Sequence, residues 1–108
     1  MNLENSEIDI CIFAINFFEK YHSSFLPQKE YEKICGYFDT AKSALSSKSN
    51  TIHKNEVAAI HLSLSSLQAI ANDEIDCSVD IFEKHKILYN TDMIDYLIDL
   101  FSVFFEST

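Results

Sequence analysis

The chain has 108 residues, 47% hydrophobic and 13% aromatic, with 17 acids against 8 bases and a formal net charge of −9. This composition fits one packed domain and excludes a disordered chain. All eight bases are lysines, so the basic, arginine-rich footprint of a phosphate binder is missing; this speaks against direct nucleic-acid binding, and an anionic membrane surface would repel the chain. One glycine and one proline are also too few for a turn-rich all-β fold, whereas long helices with few connections need little of either.

At 100° per residue, a first helix is expected from about Ser6 to His22, capped by Asn5 or Ser6. Apolar side chains cover nearly its whole circumference, leaving a narrow strip of Asp9, Asn16 and Lys20, so protein should surround it on most sides. Pro27 suits the first turn of a second helix running to about Ser46. There Tyr31, Ile34, Cys35, Phe38, Ala41 and Leu45 share a sector of about 120°. Gly36 costs helix stability, and close approach of a neighbouring helix is one reason to keep it.

A polar linker follows, with Asn50 or Thr51 placed to cap a third helix. From Val57 to Ala71 this helix has no formal charge apart from His61. Val57, Ile60, Leu64, Leu67 and Ala71 form its core stripe, and Ala58, Leu62, Ser65 and Ala69 a second side of mostly small residues. A central place in a bundle explains the lack of charge; an interface along the small-residue side is the alternative.

After an acidic turn, Ser78 is expected to cap a short fourth helix, about Val79 to Tyr89, whose apolar side would be Ile81, Phe82, Leu88 and Tyr89 with His85 among them. A strand at Ile87–Tyr89 is a weaker alternative. Asn90 or Thr91 then caps a fifth helix, Asp92 to about Phe105. The expected fold is all-α, a single domain of four to five antiparallel helices over residues 1–108.

Phosphate-cradling loops need several glycines, and a chain with one has no such fingerprint. Glu19-Lys20-Tyr21-His22 has the spacing of a di-metal helical ligand pair but occurs once. The acidic turn lacks the glycine and ligand order of a calcium loop. His53 and His61 point about 80° apart and two turns apart along one helix, too far for one metal ion. Cys11, Cys35 and Cys77 form neither a metal pattern nor an evident disulfide framework; they read as small buried hydrophobes in a reducing cytosol. No catalytic, cofactor or metal site is therefore assigned. The acidic start of the chain is unlike a secretion signal, and no apolar run has the length of a membrane span.

The acids are unevenly placed. Residues 72 to 108 hold nine acids and two lysines, net −7 of the total −9. On the fifth helix Asp92, Asp95, Asp99 and Glu106 fall within about 60° of one another, beside Ser102, with no lysine interleaved. A helix selected only for stability would gain from Glu–Lys pairs. The plainer reading is that a mostly buried helix has one wet edge. The functional reading joins this ridge to the acidic turn as a surface for a basic protein, with Asp73, Glu74, Asp76, Asp80, Asp92, Asp95 and Asp99 as its charges. Tyr89 and Tyr96, and also Tyr37, are candidate aromatic anchors.

In its net −9, its clustered acids and its helical pattern, the whole chain resembles by type the small acidic immunity proteins that bacteria pair with secreted nuclease or tRNA-cleaving toxins. The resemblance implies a non-enzymatic cytoplasmic inhibitor that binds a basic toxin domain and sets carboxylates where nucleic-acid phosphates would lie. Immunity proteins differ in fold, so no residue role is carried over. The alternatives are a dimeric helical adaptor or secretion chaperone and, more remotely, a metal-dependent helical enzyme around Glu19, His22 or His61.

Overall fold

The computed structural model describes residues 3–47 and 52–106. Its α-helices are α1 (Asn5–Tyr21), α2 (Gln28–Ser46), α3 (Lys54–Ala71), α4 (Ile81–Tyr89) and α5 (Thr91–Glu106), with a 3-10 turn at His22–Ser24 after α1. Among the described residues there is no strand, and the segment Ile87–Tyr89 is the last turn of α4. The fold is the expected all-α bundle.

Helix α3, without formal charge from Val57 to Ala71 apart from His61, is the spine and packs against α1, α2, α4 and α5. Val57, Ile60, Leu64 and Leu67 are buried along its core stripe, while Ala58, Leu62, Ser65 and Ala69 are only half-covered. Its buried hydroxyls bond within the helix: Ser63 donates to the Ala59 carbonyl at 2.8 Å and Ser66 to the Ser63 carbonyl at 2.6 Å. That removes the cost of leaving them unpaired in the core.

Helix α1 is buried on several sides, through Ile8, Ile10, Cys11, Ala14, Ile15, Phe17 and Phe18, and the strip of Asp9, Asn16 and Lys20 is exposed as expected. Phe18 stacks on Phe38 of α2, ring centroids 5.3 Å apart, with Phe25 at 5.7 Å. Burial pushes the Cys11 thiol up to about 12, so it stays protonated and acts as a small core hydrophobe. Cys35 and Cys77 are only partly buried.

Several helix starts differ from expectation, each for a visible reason. Glu4 rather than Asn5 or Ser6 caps α1, its backbone N–H donating to Glu7 Oε1 at 2.7 Å. Pro27 is itself the cap of α2, one position before the first turn. His53 caps α3, with its N–H held by Glu56 Oε1 at 2.9 Å; Asn50 and Thr51, the expected caps, lie outside the described residues. Asp80, not Ser78, caps α4: its carboxylate accepts from the N–H groups of Phe82 and Glu83 at 3.1 and 3.4 Å, which delays the helix by two residues.

The end of α3 also uses an acid. Asp73 has φ 54, its N–H donating to the Ile70 carbonyl at 3.2 Å while the Glu74 N–H donates to that of Ala69 at 2.9 Å. These two bonds make a Schellman stop with aspartate in the left-handed position where glycine is commoner.

Gly36 does not mark a close helix approach. It is exposed, and a Cβ built there would meet nothing within 4 Å. Gly36→Ala should therefore raise the unfolding free energy by about 0.4–1 kcal/mol, read as a higher urea midpoint at unchanged slope. The Cα radius of gyration, 13.1 Å, is that of a single compact unit near ~100 residues. Among the described residues no helix is long and apolar enough to cross a membrane.

Candidate functional site

The expected orientation of α4 is reversed. Ile81, Phe82, His85, Leu88 and Tyr89 share a sector of about 120°, but that sector faces solvent. Phe82 is 80% exposed, Tyr89 89%, Ile81 64% and Leu88 48%. The inward side holds Ile87, fully buried, and the half-buried Glu83. Polar bonds fix this orientation. Glu83 Oε1 accepts from Lys20 Nζ at 2.9 Å and from the Tyr21 hydroxyl at 2.8 Å, and the same hydroxyl accepts from the Asp80 N–H at 3.2 Å. The hydrogen bond to Glu83 holds the Lys20 ammonium above the ordinary lysine range. On the two flanks, Lys86 lies over the Phe13 ring, 4.6 Å from its centroid, and Lys84 lies 3.8 Å from Asp73. Both lysines of the segment are exposed, and each lies against a group outside α4.

Helix α5 follows after the single residue Asn90. Ile94, Leu97 and Phe101 are buried, and α5 packs mainly on α3. Asp92, Asp95 and Asp99 are all exposed, as expected of the ridge. The exposed strip is wider than expected, because Tyr96 (55%) and Val103 (60%) lie in it too, in a sector of about 100° with the acids. The exposed edge of α5 is therefore partly apolar, not a purely acidic strip. Ser102 turns away from the strip: it donates to the Ile98 carbonyl at 2.8 Å and lies 3.0 Å from His61 Nε2. The side chain of Glu106 lies outside the described residues.

The acids of the turn, Asp73, Glu74, Asp76 and Asp80, are exposed. Asp73 pairs with Lys84, Glu74 accepts from Asn72 and Asp80 caps α4, so three of the four have local structural work. Asp95 accepts from Gln68 Nε2 at 2.9 Å. The carboxylates of Asp76, Asp92 and Asp99 meet no hydrogen-bond or ion-pair partner among the described residues. Tyr37 lies elsewhere, on α2, beside an apolar groove of about 200 Å³ also lined by Ile34, Asn55, Ala58, Ala59 and Leu62.

Comparison with protein-family models finds no match, and comparisons with curated proteins and with solved structures likewise find none. The functional reading therefore rests on these surfaces alone.

Of the other chemical candidates, Glu19 Oε1 takes a 2.7 Å bond from Lys42 Nζ. His22 lies flat on Tyr31, ring centroids 3.7 Å apart, its buried Nδ1 meeting no hydrogen-bond partner among the described residues. Among the described residues no three His, Cys, Asp or Glu side chains are grouped to hold a metal ion. His61 has its pKa lowered from 6.5 by burial. The unfolded chain therefore takes up this proton first. The contribution to stability is whole above pH 6.5 and is lost as the pH falls from there through the lowered folded value. Melting curves between pH 7.5 and 5 should accordingly decline less steeply for His61→Gln than for the native chain.

Sequence reasoning missed the outward face of α4. A short helix with one apolar sector and one isoleucine opposite carries no mark of which side the fold will cover. The deciding partners, Lys20 and Tyr21, stand some sixty residues away in the chain.

Proposed function

We propose that the chain is an acidic protein-binding module for a basic protein, and that it acts as an immunity or inhibitor protein against a nuclease-type toxin domain. The observation that carries this reading is the α5 strip: three exposed aspartates with no counter-charge among the described residues, beside a half-exposed tyrosine. Like charges three, four and seven residues apart on one helix face repel, and stability alone does not favour them. A basic partner converts that repulsion into attraction and gains speed of encounter from it. Tyr96 supplies the aromatic contact that slows dissociation. In the inhibitory role the carboxylates stand where nucleic-acid phosphates would lie on the toxin. The reading places the chain in the cytosol of the producing cell, where its thiols stay reduced.

The reading expects a toxin-sized, basic C-terminal domain to be encoded immediately upstream of this chain, and the test is made with that domain; finding none there would count against the reading. Mixed at low salt, the two should elute as one stoichiometric complex by light scattering, and co-expression should restore growth to cells poisoned by that domain. Separate elution together with unrelieved toxicity would remove the reading. A second reading, a dimeric helical adaptor, is favoured by the apolar groove between α2 and α3. A homodimer that persists in high salt would favour it over an electrostatic inhibitor.

A further inference from the structure

The outward face of α4 needs its own account, because the core is complete without it. Ile81, Phe82, Leu88 and Tyr89, with the exposed His85 among them, form one largely apolar sector with no acid in it, on a helix held down by Glu83, Ile87 and Asp80. Folding gains nothing from exposing two aromatic rings and two aliphatic side chains on one side of a nine-residue helix. We propose that this face is the docking surface for the basic partner itself, and that it inserts into an apolar cleft with a cationic rim on that protein. This rests on the reading of the chain as a binder of a basic protein, and it identifies the part of the surface that would hold the complex together.

Shape and charge decide the occupant. A helix face is convex, so it fits a cleft on the other molecule. Phe82 and Tyr89 are seven residues apart, which puts their rings on one side about 10 Å apart along the axis, as two anchors. The segment that carries the face is acidic in net charge, residues 72–108 holding nine acids and two lysines. Asp80 stands at the start of α4, Asp92 just past its end, and Glu74, Asp76, Asp95 and Asp99 lie on the flanking segments. Lys84 and Lys86, both exposed, flank the long sides of the face, Lys84 lying 3.8 Å from Asp73 and Lys86 over the Phe13 ring, and the acids outnumber them. A second copy of this chain would bring the same acidic surround and another −9, so like charge opposes self-pairing. A cleft rimmed by Lys or Arg meets both the apolar centre and the acidic surround.

The test places a photo-crosslinking residue, p-benzoylphenylalanine, in place of Phe82 or Tyr89, and at Tyr37 as control, in the cells that make the chain. Irradiation should give one heavier adduct from the two α4 sites and none from Tyr37. Mass spectrometry should find the attachment point on a basic protein, next to Lys or Arg. Phe82→Ser/Tyr89→Ser should then weaken affinity for that protein about a hundredfold, mainly through faster dissociation, while circular dichroism stays unchanged. An adduct between two copies of the chain, an adduct to an acidic protein, no adduct, or unchanged affinity would each overturn the proposal. The two readings fail separately. If neutralising Asp92, Asp95 and Asp99 weakens binding and the α4 variant does not, the basic partner stands and the docking face is wrong. The opposite pattern leaves the docking face and removes the role of the charges.

Discussion

Phe18→Ala should lower the unfolding free energy by about 3–5 kcal/mol, the largest stability loss expected from a single truncation in this fold. The phenylalanine ring is fully buried, stacked on Phe38 and close to Phe25, and it lies where α1, α2 and the connection after α1 meet. Its removal loses the transfer free energy of the ring and leaves a cavity that its rigid aromatic neighbours Phe25, Tyr31 and Phe38 cannot fill. Against a total of about 5–15 kcal/mol, that is enough to leave part of the population unfolded at physiological temperature. Phe82→Ala is the internal control. It removes the same atoms from a ring that is 80% exposed, and should change stability by no more than about 0.5 kcal/mol. Urea titrations of the two variants measure both numbers on one scale. Equal losses would mean that Phe82 is packed in solution and that the outward orientation of α4 is wrong.

That contrast also marks where the fold was legible in the sequence. The 3.6-residue period set the sides of α1, α2 and α3, because in each the buried set is long enough to define a direction and charged residues mark the opposite edge or, in α3, are missing. The expected caps differ from the observed ones by one to three residues because Glu4 and His53 rank low as caps, while Asp80 ranks level with Ser78 and stands two positions beyond it. Gly36 was given a packing reason that the structure does not supply, since a glycine in a pattern shows only that no side chain is present. For α4, periodicity correctly grouped Ile81, Phe82, Leu88 and Tyr89 but could not say which way the group faced. That depended on Glu83 reaching Lys20 and Tyr21 on another helix. The same limit applies to α5, where the exposed strip holds Tyr96 and Val103 beside the acids while Ser102 turns inward.

The candidate site was legible in its charges. Asp92, Asp95 and Asp99 fall on one exposed edge because their spacing alone fixes it. Tyr89 and Tyr96 are exposed, as anchors must be, and Tyr89 belongs to the α4 face rather than to the acidic ridge. The turn acids divide: Asp73 and Asp80 serve the end of α3 and the start of α4, while Asp76 is exposed and meets no hydrogen-bond or ion-pair partner among the described residues. An acid count treats these alike, and only their hydrogen bonds separate structural carboxylates from available ones. The account that results has two parts, an acidic strip that speeds encounter and an apolar face that delays release.

The first part has the second large expected effect. Asp92→Asn/Asp95→Asn/Asp99→Asn removes three unit charges and keeps the shape and hydrogen-bonding atoms of each side chain. Because these carboxylates are exposed and mutually repulsive, their loss should not weaken the fold. Steering by opposite charge raises association rates by roughly 10–10³-fold and fades once the Debye length falls to a few ångströms. The measurement is therefore the stopped-flow association rate with the neighbouring basic domain, native chain against the triple variant, from about 10 mM to 1 M salt. The account predicts association about tenfold slower for the variant at the lowest salt, with the two rates converging as salt rises. Equal rates at the lowest salt would contradict it, and would leave the aspartates as the wet edge of a core helix.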